Sequence, residues 1–270
     1  MKKYIILLFI ATPFFLKSQE TTQKETRKER IEKANKKTQK LKRDSEEGAL
    51  IFNKQSSFNI TLRNDGFAFG YERGKFKKIN KTNLWWVHFG ERKHVKEEKL
   101  SHEFIGLQVG NPFIYGKQNN FYFLNIGLGQ QKLLGGKSTK NGVAVSAVYG
   151  GGLTLGLLKP YYLEVVGRTP GTIDEIKWND DKPDLRFLKT DSILGAASLG
   201  KGFNEIKLSP GAFAKAAIRF DYGKFNDLVS ALEIGISGEY YFQKVPQMVL
   251  LKEKNFFLNG YITLIFGSRK

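Results

Sequence analysis

The last strand-like segment of the chain, residues 255–266, constrains the fold more than any other part of the sequence. Apolar side chains recur at every second position from Phe256, and only Gly260 interrupts them, while the positions between include Asn259 and Thr263. A period of two indicates a β-strand, because successive side chains of a strand point to opposite faces. Such a strand, about eleven residues long, fits the edge of a soluble sandwich or the closing strand of a transmembrane barrel. The lipid-facing candidates in the barrel are Phe256, Leu258, Ile262, Leu264 and Phe266.

The beginning of the chain predicts export. Residues 1–18 combine a basic start, an apolar run from Tyr4 to Leu16 and a polar end at Lys17 and Ser18. This is the arrangement of a cleaved secretory signal, and the apolar run is too short to span a bilayer comfortably. An uncleaved N-terminal anchor is the alternative. We therefore predict that residues 1–18 are a signal peptide and that the mature chain starts at Gln19.

Cysteine content and hydropathy narrow the ways in which an exported chain can fold. The chain has no cysteine, which excludes disulfides, lipoprotein acylation, Cys-ligated zinc and thiol catalysis. No segment after the signal offers about 18 consecutive apolar residues, so no membrane-spanning helix is predicted. A closed β-barrel is the other way into a membrane, because all of its backbone hydrogen bonds form between strands.

Residues 19–47 form a separate and highly charged segment. Large apolar side chains are rare in it, so it has no stripe to bury in a core. Glu29 and Lys33, like Glu32 and Lys36, have the i,i+4 order that supports a helix, but each pair contributes only about 0.3–0.5 kcal/mol. We predict a charged periplasmic arm or linker that is either a solvated helix or disordered. The alternative is an arm that folds on a partner protein.

Residues 48–270 have the pattern of an all-β protein. Asn64-Asp65-Gly66 separates two alternating segments and is a strong hairpin signal, and one long strand with a glycine kink is the alternative. About ten strands are clear and two more have room, which predicts a transmembrane antiparallel β-barrel of about 10–12 strands. The stretch 169–208 is rich in Asp and Lys, and we expect it to be a long extracellular loop with a short strand or helix near 193–199, because periplasmic turns of barrels are short.

Two glutamates favour a wet lumen over a soluble core. Glu233 and Glu239 alternate with large apolar residues on the predicted strand Leu228 to Phe242. A soluble core disfavours buried carboxylates, whereas a polar barrel interior accepts them. Both glutamates are therefore predicted to face the lumen, and Gly150-Gly151-Gly152 is predicted to mark strand curvature or a tightly filled lumen. The predicted aromatics of the lipid interface are Trp85, Trp86, Tyr161 and Tyr162.

The residue pattern predicts no catalytic, cofactor or metal site. The three histidines are His88, His94 and His102. None of them has a serine two positions later, as in the His-x-Ser motif of the barrel lipid A deacylases. The separation of His94 and His102 in the sequence gives no support for a metal site. We predict a non-enzymatic protein without a cofactor. A lipid-modifying barrel enzyme is the least favoured alternative.

Four stretches carry a resemblance to a known group of proteins. They are Lys17-Ser18-Gln19, residues 58–67, residues 89–94 and residues 111–117. In them the chain resembles the small, porin-like outer-membrane β-barrel proteins of Bacteroidota, which implies an outer-membrane location. The closing signal of proteobacterial barrels is not met, since Thr263 stands at its first apolar position.

The net charge of +18 is the remaining functional signal. Such an excess usually indicates nucleic acid, but an exported chain does not meet it, and we predict none as a partner. The expected partners are outer-membrane lipid, lipopolysaccharide and other envelope proteins that the 19–47 arm would contact. Because the lumen of a small barrel is largely filled by side chains, the leading prediction is a structural or accessory subunit of an envelope protein assembly. A narrow anion-favouring channel is the alternative.

Overall fold

The computed structural model describes residues 31, 32, 35, 53–78, 80–104, 107–137, 142–223 and 228–270. The predicted signal peptide 1–18 and nearly all of the predicted arm 19–47 lie outside these residues. Ile31, Glu32 and Asn35 are helical. Among the described residues, no helix has the length and apolar character needed to cross a membrane.

The described part of the chain is built from β-strands with three short 3-10 helices, Leu185–Leu188, Thr190–Ser192 and Phe203–Glu205. The strands in chain order are β1 (Lys54–Arg63), β2 (Gly66–Lys78), β3 (Lys81–Arg92), β4 (Lys99–Phe104), β5 (Leu107–Ile114), β6 (Asn119–Gly135), β7 (Ala144–Pro160), β8 (Tyr162–Val166), β9 (Ile173–Lys177), β10 (Ile193–Ala196), β11 (Lys207–Asp221), β12 (Leu228–Val245) and β13 (Lys254–Arg269).

Eight of these strands close into one antiparallel barrel in the order β1-β13-β12-β11-β7-β6-β3-β2. The first and last barrel strands form the seam, with Phe58 opposite Phe266 and Leu62 opposite Ile262. Closure leaves no edge strand in the barrel. The prediction of an all-β closed barrel is therefore confirmed, and β13 is its closing strand.

The predicted count of 10–12 barrel strands is too high. Strands β4 and β5 pair in a separate two-stranded sheet, and β8, β9 and β10 pair in a three-stranded sheet. Alternation indicates strands, but it does not indicate which strands pair with which. Eight strands form the barrel and the other five described strands lie outside it.

The two ends of the barrel differ in their connections. At the end where β1 begins and β13 ends, here called the terminus end, residues 79–80, 136–143 and 222–227 connect the strands. At the opposite end, the loop end, the connections are 64–65, 93–118, 161–206 and 246–253. The two longest connections thus lie at the end away from the termini.

The described parts of the long connections at the loop end form a head, defined as residues 93–104, 107–118, 161–206 and 246–253. Its core joins β5, β8 and β10 to the first 3-10 helix and consists of Phe113, Leu163, Val165, Phe187 and Ile193, each at most 1% exposed. Backbone hydrogen bonds tie its segments together, as from Val249 N to the carbonyl of Gly116 over 2.8 Å. The predicted loop 169–208 thus contains β9, β10 and all three 3-10 helices, and β10 lies where a short element was expected.

Glycines in two barrel strands make room for one large interior side chain. A Cβ atom added at Gly127, Gly129 or Gly150 would come within 2.6–2.7 Å of the Trp86 ring. The Trp86 indole therefore packs directly on the backbone of β6 and β7 at these three glycines, here called the Trp86 floor. Gly150, one of the three consecutive glycines noted in the sequence, belongs to this floor, which matches the tightly filled alternative.

Candidate functional site

The interior of the barrel is the part of the molecule with the strongest concentration of charged groups. Inward positions of the strands hold carboxylates, guanidinium groups and amides that are almost completely buried. A buried charge is stable only when it is paired and hydrogen-bonded. The question for each group is therefore which partner balances it.

The middle cluster consists of Glu72, Lys215, Arg219, Glu233 and Tyr261. The Arg219 guanidinium donates to both carboxylate oxygens of Glu72 over 2.7 and 2.8 Å and to Oε2 of Glu233 over 2.6 and 2.8 Å. Glu233 Oε1 also accepts from the Tyr261 hydroxyl over 2.9 Å and lies 3.3 Å from Lys215 Nζ. Two carboxylates and two cations balance one another, so the cluster is close to neutral.

The upper cluster lies nearer the loop end and consists of Arg63, Asp65, Arg92, Glu239 and Tyr241. Glu239 Oε1 lies 2.8 Å from Arg63 Nη1, and Oε2 accepts from Arg92 over 2.7 Å and from the Tyr241 hydroxyl over 3.0 Å. Asp65, from the tight β1–β2 turn, lies 3.1 Å from Arg63 Nε and 2.6 Å from Arg92 Nε. Here too, two carboxylates balance two guanidinium groups.

Aromatic rings complete the surroundings of the cations in the two clusters. Arg63 lies 4.5 Å from the centre of the Phe123 ring, and Arg92 lies 4.2 Å from the centre of the Phe257 ring. In the middle cluster, Lys215 Nζ lies 4.2 Å from the Trp86 ring centre. Cation–π contacts of this kind add to the ion pairs most when they are desolvated.

A third group of charges lies at the terminus end of the lumen. Asp221 pairs with Arg269 from the closing strand and with Lys137 Nζ at 3.1 Å. Lys137 also donates to the carbonyl of Gly223 over 2.6 Å. These contacts tie the end of β13 to the turn regions beside β6 and β11.

The described side chains leave little free space between the middle and upper clusters. A cavity of about 30 Å³ remains there, and its lining includes Thr61, His88 and Ser237. This volume holds one or two water molecules. Between the two clusters, the described part of the lumen is therefore a packed polar core, which can hold strands in register but leaves no room there for a substrate.

The two glutamates singled out in the sequence lie inside the barrel, one in each cluster. Glu233 is 1% exposed and Glu239 is fully buried. Their cationic partners Arg63, Arg92 and Arg219 were missed by sequence reasoning. The sequence pattern could have indicated Arg219 and Lys215 as lumen residues. They lie on the same face of the strand as Phe213 and Ala217, and the opposite face of that strand is apolar.

The histidines are not brought together into one site. His88 lies in the barrel, with Nε2 3.3 Å from the Asn59 amide nitrogen, and His94 lies in the head, where its backbone N–H donates to Glu97. His102 belongs to β4. Within the described ranges, no group of three or more His, Asp or Glu side chains could hold a metal ion.

The predicted interface aromatics separate into three environments. Trp85 is 39% exposed on the outer face, whereas Trp86 is fully buried in the lumen. The assignment of Trp86 to an outer belt is wrong because neighbouring residues of a strand face opposite sides. Tyr161 and Tyr162 belong to the head, where their hydroxyls bond the Ile114 N–H and the Glu205 carboxylate.

The lipid-facing candidates of the closing strand all lie on the outer face of the barrel. Their exposed fractions run from 39% for Leu264 to 65% for Leu258. Inward positions of the same strand hold the buried side chains Asn259, Tyr261 and Thr263. Large apolar residues therefore cover the outside, and the polar ones fill the inside.

The surface of the head carries its own ion pairs. Arg186 lies 2.7 Å from Asp184 Oδ2 and 2.7 Å from Asp174 Oδ2. Hydrogen bonds from Arg186 lower the pKa of both carboxyl groups below the usual range. The hydrogen bond from Lys177 likewise lowers the pKa of Glu205. These pairs are partly or fully exposed, unlike those in the lumen.

Comparison with known proteins gives only distant similarities, and no protein-family model or curated protein matches the chain. Neisserial surface protein A is 8% identical, with a TM-score of 0.37, over 80% of this chain and 94% of that one. A major outer membrane protein from Thermus thermophilus is 10% identical, with a TM-score of 0.39, over 79% and 98% of the two chains. Ail, the attachment invasion locus protein of Yersinia pestis, is 10% identical, with a TM-score of 0.33, over 80% and 95%; that structure holds the heparin analogue sucrose octasulfate.

Proposed function

We propose that this chain is a non-enzymatic outer-membrane β-barrel that anchors an ordered head and serves as a structural or accessory protein of the envelope. One observation carries the proposal: the barrel is apolar outside and charged inside. Every barrel strand exposes large apolar side chains, for example Phe58, Phe69, Phe89, Leu128, Leu153, Ile218, Ile236 and Leu258.

An apolar belt of this extent is unfavourable in water and favourable in lipid. Leu128 and Leu153 are each 71% exposed, and Phe58 is 69% exposed. Transfer of apolar surface out of water contributes about 25 cal/mol per Å², so a continuous belt favours a hydrocarbon environment strongly. A closed barrel can enter that environment because its backbone groups are all paired between strands.

The lengths of the connections support one orientation of the barrel in the membrane. Outer-membrane barrels have short periplasmic turns and longer extracellular loops. The terminus end, with its shorter connections, then faces the periplasm and the head lies outside the cell. This orientation also leaves the start of β1 on the periplasmic side, and we propose that the 19–47 arm contacts other envelope proteins there.

The packed lumen supports an anchoring role over a narrow anion-favouring channel. The middle and upper clusters balance their charges internally, and the cavity between them holds only one or two waters. An anion crossing the barrel would have to break several buried ion pairs. The separation of His88 and His94 also gives no support to a barrel lipid hydrolase.

Single-cysteine labelling tests the membrane placement and orientation, since the natural chain has no cysteine. Ser198→Cys places a thiol on the exposed surface of the head, and Asn80→Cys places one in the exposed β2–β3 turn at the terminus end. With a membrane-impermeant maleimide on intact Gram-negative cells, we expect labelling at Ser198→Cys only. Both thiols should react after the outer membrane is opened. Labelling of Asn80→Cys in intact cells, or recovery of the protein in the soluble fraction, would contradict the proposal.

Planar-bilayer recording separates the anchor from the channel. We expect the purified, folded barrel to give no reproducible conductance steps. Anion-selective steps that recur at a fixed size would show that the clusters open, and they would favour the channel alternative. Heat-dependent migration on a gel controls for folding in the same preparation.

A further inference from the structure

The outer face of the barrel carries a localised group of cations at the terminus end. These side chains come from four adjacent strands, β1, β2, β3 and β6, and all are exposed. The basic patch consists of Lys54, Arg73, Lys75, Lys77, Lys81 and Lys132. Glu72, from the same region of β2, is buried in the middle cluster, and no described acidic side chain shares this part of the outer face.

The strand register places several of these cations directly opposite one another. Lys54 lies opposite Lys75 across β1 and β2, and Lys81 lies opposite Lys132 across β3 and β6. Like charges in opposite positions of neighbouring strands destabilise a sheet. None of the six cations forms an ion pair with any described residue. The patch is thus a concentrated positive charge without a counter-ion among the described side chains.

Aromatic rings border the patch on the side toward the middle of the barrel. Trp85 lies opposite Arg73 in the register, and the rings of Tyr71 and Trp85 are 5.8 Å apart. Tyr149 donates from its hydroxyl to Gln130 over 3.1 Å on the same face. Next to these rings the outer face is apolar: Leu128 lies opposite Trp85, and Phe58 lies opposite Tyr71.

Along the outer face, apolar side chains with aromatic rings among them therefore give way to basic side chains at the terminus end. A lipid leaflet changes in the same direction, from hydrocarbon to headgroup phosphate, and Trp and Tyr are frequent between the two. Lysine stems can lie along apolar surface while their ammonium groups reach the phosphates. A nucleic acid or a soluble polyanion would match the cations but would place its charged groups beside the apolar belt.

We propose that the basic patch binds the phosphate groups of anionic phospholipids in the leaflet at the terminus end. This inference rests on the membrane insertion proposed above. It adds a lipid preference and a site that fixes the depth and rotation of the barrel on one side. Binding would also relieve the repulsion between the paired lysines.

Quenching of Trp85 by brominated lipid tests the site directly. The test uses a Trp178→Phe background, in which Trp85 faces the outside and Trp86 remains buried as a constant signal. The barrel is reconstituted in phosphatidylcholine vesicles that contain about 20 mol% of either dibrominated phosphatidylglycerol or dibrominated phosphatidylcholine. We expect the anionic bromolipid to quench at least about two-fold more than the zwitterionic one, because several lysines each attract anionic lipid.

A patch variant and a matched control decide whether the preference belongs to these residues. The patch variant combines Lys54→Gln, Lys75→Gln, Lys81→Gln and Lys132→Gln, and we expect its quenching ratio to fall to about one. The control combines Lys207→Gln, Lys244→Gln, Lys252→Gln and Lys254→Gln, four exposed lysines at the loop end. We expect the control to keep the preference. Heat-dependent gel migration verifies that both variants are folded.

Four outcomes would overturn the site. They are equal quenching in the parent, a preserved preference in the patch variant, an equal loss in the loop-end control, and loss of the preference on adding inorganic phosphate at matched ionic strength. The last would indicate a general anion site. If neither bromolipid quenches Trp85, the barrel is not in the bilayer, and the proposed function fails together with the site. Equal quenching by both leaves membrane insertion intact and removes only the lipid site.

Discussion

The barrel interior and the head are both enclosed by alternating strands, yet they bury opposite kinds of side chain. The middle cluster buries Glu72, Arg219 and Glu233, whereas the core of the head buries Phe187 and Ile193. The proposed membrane placement accounts for the difference. A head in water gains by turning apolar groups inward, and a barrel in lipid gains by turning them outward. An alternating strand therefore does not by itself indicate which of its faces is inside.

The two interiors should also respond differently to change. An apolar core loses packing and hydrophobic transfer energy in proportion to the volume removed. A network of buried charges depends on each partner, because one deletion leaves another charge without compensation. Substitutions in the two regions test this contrast.

Arg219→Met should destabilise the barrel most. It leaves the carboxylates of Glu72 and Glu233 buried without their shared cation, and loss of one partner from such a network costs about 3–5 kcal/mol. We expect a large shift of the urea unfolding midpoint in lipid vesicles, or failure to fold, read from heat-dependent gel migration.

A matched quadruple variant separates lost charge balance from lost volume. Glu72→Gln, Lys215→Met, Arg219→Met and Glu233→Gln together remove the charges at nearly constant size, and we expect them to recover much of the stability. If Arg219→Met alone is as stable as the parent, the lumen does not behave as a dry ion-pair network, and the contrast with the head fails.

Phe187→Ala should affect the head and leave the barrel folded. The ring is fully buried in the head core, and its removal costs about 3 kcal/mol, which is more than about 100-fold in the local opening equilibrium. We expect rapid tryptic cleavage within 161–206 and an unchanged gel shift of the barrel. Leu199→Ala is the control, since Leu199 is 87% exposed in the same head. Loss of the barrel in Phe187→Ala would mean that the two regions fold as one unit.

Gly127→Ala tests packing inside the barrel independently of charge. The added Cβ would lie 2.7 Å from Trp86 Nε1 and 2.8 Å from Phe213 Cζ, and overpacking of this kind costs about 1–3 kcal/mol. Gly260→Ala is the matched control on the outer face, where no atom lies within 4 Å of the added group. If the urea midpoints of both variants fall equally, the loss of stability comes from strand propensity and not from a clash with the Trp86 ring.

Much of the architecture could be predicted from the sequence because strand periodicity is local. The hairpin at Asp65-Gly66 and the closing strand follow from residues near each other in the chain. The number of barrel strands could not be predicted, because pairing depends on distant segments, and β5 and β8 pair within the head. The partners of Glu239 were also out of reach, since Arg92 is 147 positions away along the chain.

Acid should weaken the surface of the head slightly and leave its apolar core in place. Hydrogen bonds from Arg186 lower the pKa of Asp184 in the folded head. Such a carboxyl group contributes stability above its unfolded pKa of about 3.9, and the contribution is lost as the pH falls through the folded value. We therefore expect the hydrogen-exchange protection factors around residues 184–188 to fall below about pH 4, by less than about 1 kcal/mol of local stability, since partly exposed ion pairs are weak. Arg186→Gln should remove most of this dependence while exchange at neutral pH rises modestly. If acid instead opens the region around Phe187 and Ile193 as well, the head depends on its surface charges as the barrel depends on its buried ones, and the two regions are more alike than their cores suggest.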